Sequence, residues 1–270
     1  MSKIGFLGAG NMAEAIIKGI IDTKVYNPAD IFLTDIRAER VAQLCAQYKV
    51  KSAAGNCQLA KAVDILVLSI KPQNFAQVLD EIKTVVGKGT LIVSIAAGVT
   101  TKRIQQSLGN VPVIRVMPNT PALIGQGAAA LYATPQAAGG LKEVEKIFSA
   151  VGLAVVVDDE ELLDAVTAVS GSGPAYFFLM MEEMIKAAVK LGLKRELAEK
   201  LVLQTAKGAG FLAVESAGKG RSPDILRKNV TSPGGTTEAA LKVFSKYDFE
   251  KIVTDALTAA AERSKELSGQ

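Results

Sequence analysis

The chain contains no histidine and no tryptophan among its 270 residues. Without histidine it can build neither Ser-His nor Cys-His nucleophilic machinery nor a histidine-ligated metal site, and it lacks the usual general acid near neutral pH. Any reaction it performs must therefore need little acid help. Cysteine is scarce as well. Cys45 and Cys57 form no C-x-x-C and no metal-ligand spacing, so they read as reduced thiols of a cytoplasmic protein, and no metal is expected. A net charge of only +4, with no basic run and no interleaved aromatic ladder, argues against a nucleic-acid partner and suits small anions. No secretory signal is expected ahead of Lys3. Mean hydropathy is positive at +0.26, yet the apolar stretch 174–192 is interrupted by Glu182, Glu183 and Lys186, so no membrane partner or span is expected.

What is present divides the chain in two. Its length exceeds the roughly 100–200 residues of one domain. Apolar, β-branched segments at 3–8, 30–35, 63–70, 90–96 and 112–117 alternate with helical patterns at 11–22, 37–48, 73–86 and 100–108. That alternation predicts a doubly wound α/β fold with a parallel sheet. Further strands are expected at 127–133 and 153–157 around a helical stretch 135–150, with a short one near 50–53. From about Glu160 strand signals stop, and helices are predicted at 174–192, 194–217, 235–246 and 249–267. The expected domains are therefore 1–159 and 160–270, the second all-helical.

The first strand runs through Gly8-Ala9-Gly10-Asn11-Met12-Ala13 into a helix, which is the dinucleotide fingerprint G-x-G-x-x-A in its required context. Gly8 permits the turn, Gly10 lets the backbone approach a pyrophosphate, and Ala13 keeps helix close to strand. Other strand ends add to it. Ser69-Ile70-Lys71-Pro72 and Ala96-Ala97-Gly98 would lie at the sheet's carboxyl edge, where small residues allow a nicotinamide ring against the backbone. Asp35, at the end of the second strand, can hold ribose hydroxyls as in NAD binding or can cap the following helix. Arg37 can pair with the extra phosphate of NADP, so NADH and NADPH both remain open. VMPNTPALIG (116–125) forms a stiff loop, and AVSGSGPAYFFLMMEEM (168–184) opens the longest helix with Ser172 as expected cap and Pro174 in its first turn.

The richest segment is NVTSPGGTTEAAL, 229–241, where Thr231, Ser232, Thr236 and Thr237 crowd the start of a helix beside Gly234 and Gly235. The first amides of a helix lack internal partners and sit at its positive end, so a carboxylate can bind them. The plainer alternative is a proline-glycine turn with a threonine capping the helix.

FLGAGNMA, SIKPQ, RVMPNTP, SGSGPAY and above all NVTSPGGTTEAAL together resemble the pyrroline-5-carboxylate reductase family over essentially the whole chain. The resemblance implies a Rossmann domain followed by a helical dimerisation domain, a homodimer or a larger assembly of dimers, and NADPH or NADH as cofactor. It implies a cyclic imine carboxylate as substrate, placed at a subunit interface between the nicotinamide and the signature turn. By match to the motifs, Val230, Ser232, Gly234, Gly235 and Thr237 contact the substrate. Phe6, Leu7, Gly8, Ala9, Gly10, Asn11, Met12, Asn56, Ser69, Ile70, Lys71, Pro72, Ala96, Ala97 and Gly98 contact the cofactor. An iminium protonated in water needs orientation more than a strong acid, which agrees with a histidine-free site, and Thr237 is the expected catalytic contact to its ring nitrogen. Two alternatives differ in chemistry: a hydroxyacid dehydrogenase using Lys186 or Lys190 from the long helix, and a dinucleotide sensor without turnover.

Overall fold

The structure, a computed structural model, describes residues 2–269. The first half alternates as expected: β1 (Ile4–Leu7), α1 (Asn11–Asp22), β2 (Ile31–Thr34), α2 (Ala38–Tyr48), β3 (Lys51–Ser52), α3 (Asn56–Ala62), β4 (Ile65–Leu68), α4 (Phe75–Ile82), β5 (Leu91–Ser94), α5 (Thr101–Leu108) and β6 (Val113–Met117). It continues with β7 (Gly127–Ala133), α6 (Leu141–Ser149) and β8 (Gly152–Val156). The eight strands form one sheet in the order β3-β2-β1-β4-β5-β6-β7-β8. All neighbouring pairs are parallel except β6 with β7, which is antiparallel. The sheet is thus mostly rather than wholly parallel, because a short 3-10 loop reverses the chain between those two strands instead of a crossover helix.

β1, β4 and β5 are buried at every position, which is why they read as continuous Ile/Leu/Val runs and not as alternating ones. Ile16, Ile17 and Ile20 of α1, Leu44 of α2 and Ile147 and Phe148 of α6 pack on one face. Leu59 of α3, Phe75 and Leu79 of α4 and Ile104 of α5 pack on the other. The chain leaves β1 toward β2 on one side and crosses to β4 on the other, so the topological switch lies between β1 and β4.

Beyond β8 the chain is helical: α7 (Leu162–Val166), a π-helical turn Thr167–Gly171, α8 (Gly173–Lys190), α9 (Arg195–Ala217), α10 (Pro223–Asn229), α11 (Thr236–Lys246) and α12 (Phe249–Ser268). The residues up to Pro174, with the segment from Ala259 onward, make one compact unit, and Ala175–Thr258 make a second. The second unit is helical throughout and exposes Phe177, Phe178, Leu179, Phe211, Leu212 and Val214. Among the described residues no helix is long and apolar enough to cross a membrane.

Ser172 does not cap α8. Its backbone is helical and its amide reaches back to Thr167 O at 2.8 Å, closing the π turn that makes α7 and α8 one interrupted helix. The short helices α3, α7 and α10 were not expected from periodicity, since five to seven residues are too few for a 3.6-residue repeat to declare itself.

Candidate dinucleotide site and signature turn

The fingerprint turn joins β1 to α1 with two glycines in different circumstances. Gly8 has φ +96°, and a Cβ there would lie 2.5 Å from Ser69 O. Gly10 is the N-cap of α1 with φ −70° and ψ 178°, and no side chain caps that helix. A Cβ on Gly10 would meet nothing of the described residues within 4 Å. No packing among the described residues therefore demands glycine at position 10, and the lack of a side chain leaves the first amides of α1 open to a pyrophosphate. The residues fit a dinucleotide on this ground.

Around that turn the side chains form a brace that sequence reading missed. Arg40 donates from Nε to Ala9 O at 3.0 Å and is ion-paired with Glu14, which also accepts from Tyr48 at 2.9 Å. Burial pushes the Glu14 carboxyl up, but the Arg40 and Tyr48 hydrogen bonds outweigh it and leave Glu14 below its ordinary value. Nothing in the local pattern of α2 distinguishes Arg40 from a solvated arginine; only the approach of α2 to the turn does.

Asp35 lies at the carboxyl end of β2 with its side chain 9% exposed. Its Oδ2 accepts from Ala9 N at 2.7 Å, and its Oδ1 accepts from Arg37 N and Nε, each at 2.9 Å. Burial raises this carboxyl, but the Arg37 hydrogen bonds and the two backbone amides hold it down at about 2. It does not cap α2, whose N-cap is Arg37 and carries no side-chain cap. A cleft of about 360 Å³ opens beside it, lined by Thr34, Asp35, Ile36, Gly55, Asn56 and Glu81 among others. Ile36 is 94% exposed at its edge, an apolar surface that suits a flat base. Asn56 accepts from Thr34 Oγ1 at 2.9 Å and donates to Glu81 at 2.8 Å, which holds the head of α3 against this cleft.

The remaining strand-end residues fall on the same carboxyl edge but differ in role. Phe6 and Leu7 are wholly buried and support the turn from beneath. The Ser69 hydroxyl is directed at Leu7 O and Gly8 O, at 2.9 and 2.6 Å, so it locks the ends of β4 and β1 together. Lys71 and Pro72 are exposed, with Pro72 opening a 3-10 turn. Ala96 and Gly98 are buried, and Gly98 has φ +70°. Glu160 anchors the helix that follows them. It accepts from Thr101 N at 2.8 Å and from Thr101 Oγ1 at 2.5 Å, while buried Arg115 pairs with it at 3.1 Å. The loop after β6 meets the π turn and β7: Asn119 donates to Ser170 O at 3.1 Å and accepts from Ala128 N at 2.8 Å.

In the helical unit the signature turn leads into α11 through two glycines. Gly234 has φ +72°, and Gly235 is the N-cap of α11. A Cβ on Gly235 would collide with Ser232 Oγ at 2.5 Å, so glycine there admits the serine hydroxyl. No threonine caps the helix. Glu238 reaches back instead to Gly234 N at 2.9 Å. The half-buried Thr237 hydroxyl makes no hydrogen bond among the described residues, and Val230 is exposed. By contrast Lys186 is bound by Glu182 and Glu183 on an open helix face, and the pair raises its pKa. That is a surface ion pair within one helix.

Residues 160–267 match the family described as pyrroline-5-carboxylate reductase dimerisation, and residues 3–98 match the NADP oxidoreductase family described as coenzyme F420-dependent. The chain is 46% identical to the pyrroline-5-carboxylate reductase of Pseudomonas aeruginosa, across 99% of this chain and 97% of that protein. Its fold matches a pyrroline-5-carboxylate reductase from Coxiella burnetii with TM-score 0.92 and 40% identity, covering 99% and 98% of the two chains. It also matches the Plasmodium falciparum enzyme with NADP bound, with TM-score 0.85 and 32% identity over 99% and 98%.

Proposed function

The chain belongs to the pyrroline-5-carboxylate reductase family, and from that premise we propose that it reduces 1-pyrroline-5-carboxylate to L-proline with NAD(P)H in the cytoplasm. When bound, the reduced nicotinamide supplies a hydride to the imine carbon. The C=N bond becomes the C–N bond of proline, and the nitrogen keeps the proton it took from water before binding. The chain's own residues bind and orient. The amides at the head of α1 take the pyrophosphate, and the Asp35 and Arg37 pair meets the adenosine ribose. The small residues Ala96 to Gly98 give the nicotinamide a flat wall. In the signature turn, backbone amides and Ser232 hold the substrate carboxylate, and the Thr237 hydroxyl accepts from the ring N–H and fixes the imine.

The observation that carries this reading is the uncapped head of α1 at the end of β1, entered through Gly10, where a Cβ would meet nothing of the described residues within 4 Å, in a chain without histidine. Such a head can take the pyrophosphate of the cofactor, and a site without histidine catalyses by orientation. The exposed apolar helices of the second unit support a homodimer or a larger assembly of dimers. Turnover of pyrroline-5-carboxylate, followed by oxidation of the reduced cofactor, tests it together with the Thr237→Ala variant. We expect that variant to lower kcat on the order of 10–100-fold while its melting temperature stays near that of the parent. Unchanged kinetics would remove Thr237 from the mechanism, and no turnover by the parent chain would remove the function.

A further inference from the structure

We infer that the last turns of α12, from Ser264 to Leu267, position the Ala96–Gly98 loop against the nicotinamide; this rests on the reading that the loop backs that ring. Gly98 is buried with φ +70°, and a Cβ there would lie 2.9 Å from Leu267 Cβ, 3.0 Å from Leu267 O and 3.1 Å from Leu267 C. The end of the helix is therefore seated on the crest of the loop, main chain against main chain. Glycine is required at this position for two separate reasons, the left-handed backbone and the closeness of the helix.

The helix end is itself fixed in register. Ser264 donates to Asp164 Oδ1 at 2.5 Å, with Ser264 4% and Asp164 1% exposed. Among the described residues this is the one side-chain hydrogen bond to that carboxylate. A buried carboxylate left without it carries a full desolvation penalty, so any slide or rotation of α12 that withdraws Ser264 is opposed. Ser268 in turn bonds Ser264 O at 3.0 Å and closes the final turn over the same point. On its far side the loop runs through buried Val99 into α5, whose first amide is held by Glu160. The loop is thus held at both ends, by Glu160 at its foot and by Leu267 at its crest. None of the sequence motifs of the site includes residues 264–267. Their role is positional, and a displacement of about 1 Å at a hydride-transfer centre suffices for large losses in rate.

Three variants test this: Gly98→Ala, a chain ending at Glu266, and the two combined. Each is measured for NADPH affinity by nucleotide fluorescence, for the KM of both substrates, and for the primary isotope effect with deuterium at the transferred position. Assembly is checked by light scattering. Gly98→Ala is expected to weaken NADPH binding on the order of tenfold. The shortened chain should raise the NADPH KM and increase the isotope effect while leaving the imine KM and the assembly unchanged. The combined variant should be no worse than Gly98→Ala alone, since both act on one contact. If Gly98→Ala binds NADPH like the parent, the loop does not back the nicotinamide and both readings fall. If Gly98→Ala is impaired but the shortened chain matches the parent, or the two effects simply add, the loop keeps its place and the positioning role is overturned. Should the shortened chain not fold, Ser264→Ala against Asp164→Asn decides. Asparagine still accepts the serine hydroxyl and should leave the NADPH KM unchanged, whereas Ser264→Ala should raise it; parent-like values for both overturn the inference.

Discussion

Gly8 and Gly10 stand two residues apart in one motif, yet the structure predicts opposite consequences for replacing each by alanine. At Gly8 the backbone has φ +96°, and the new Cβ would lie 2.5 Å from Ser69 O and 3.1 Å from Ile70 Cγ2. Forcing an L-residue into that region costs about 1–2 kcal/mol. Overpacking against a fixed carbonyl adds roughly 1–3 kcal/mol. The carbonyl cannot retreat freely, because Ser69 N and Oγ tie the end of β4 to Leu7 O. A total of about 2–5 kcal/mol should lower the melting temperature of a domain this size by roughly 4–20 °C. At Gly10, by contrast, φ −70° and ψ 178° suit alanine and nothing lies within 4 Å. Losing glycine at an N-cap that has no side-chain bond costs well under about 1 kcal/mol. The new methyl would stand where the pyrophosphate reaches the helix amides, however. Loss of one charge-assisted hydrogen bond, about 1.5–3 kcal/mol, weakens NADPH binding on the order of 10–100-fold. Thermal unfolding without cofactor and fluorescence titration with NADPH read the two effects separately. If Gly10→Ala melts as low as Gly8→Ala, or binds NADPH as the parent does, the division between a structural and a ligand-facing glycine is wrong.

Cofactor choice should respond to the pair at the end of β2. Asp35→Ala removes a carboxylate that repels a ribose phosphate and should move the kcat/KM ratio toward NADPH on the order of tenfold, while Arg37→Ala moves it the other way; equal ratios in both variants would refute the assignment. The same carboxyl is held at about 2, below its ordinary 3.8, so it contributes stability above about pH 4 and loses that contribution as pH falls toward 2. The melting-temperature gap between the parent and Asp35→Asn should therefore shrink over that window, and a gap constant with pH would contradict it. Light scattering should find no stable, active monomer, given the apolar helix faces exposed on the second unit.

Much of this was legible in the letters. The helix Asn11–Asp22 follows from a turn of two glycines and an amphipathic repeat, and both its ends fall where the pattern places them. The strands were legible for a similar reason: burial on both faces demands continuous apolar runs whose β-branched residues exclude other assignments. Helices of five to seven residues were not, and neither was the π turn at Thr167–Gly171, where the letters S-G-S-G-P suggest a helix start with Ser172 as its cap. There the π turn takes in one extra residue ahead of α8, and local chemistry cannot distinguish that from a capped helix start.

The sequence alone determined which residue types are offered to a ligand, because glycine at a helix head, hydroxyls around it and the want of histidine are chemical facts needing no coordinates. Only the folded chain decided what those residues lean on: Arg40 behind the fingerprint turn, Glu160 at the head of α5, Asp164 against Ser264, and Leu267 on Gly98. Each of these pairs joins residues 31 to 169 positions apart along the chain. Periodicity records which face of an element is buried, but it carries no information about which distant side chain that face will touch.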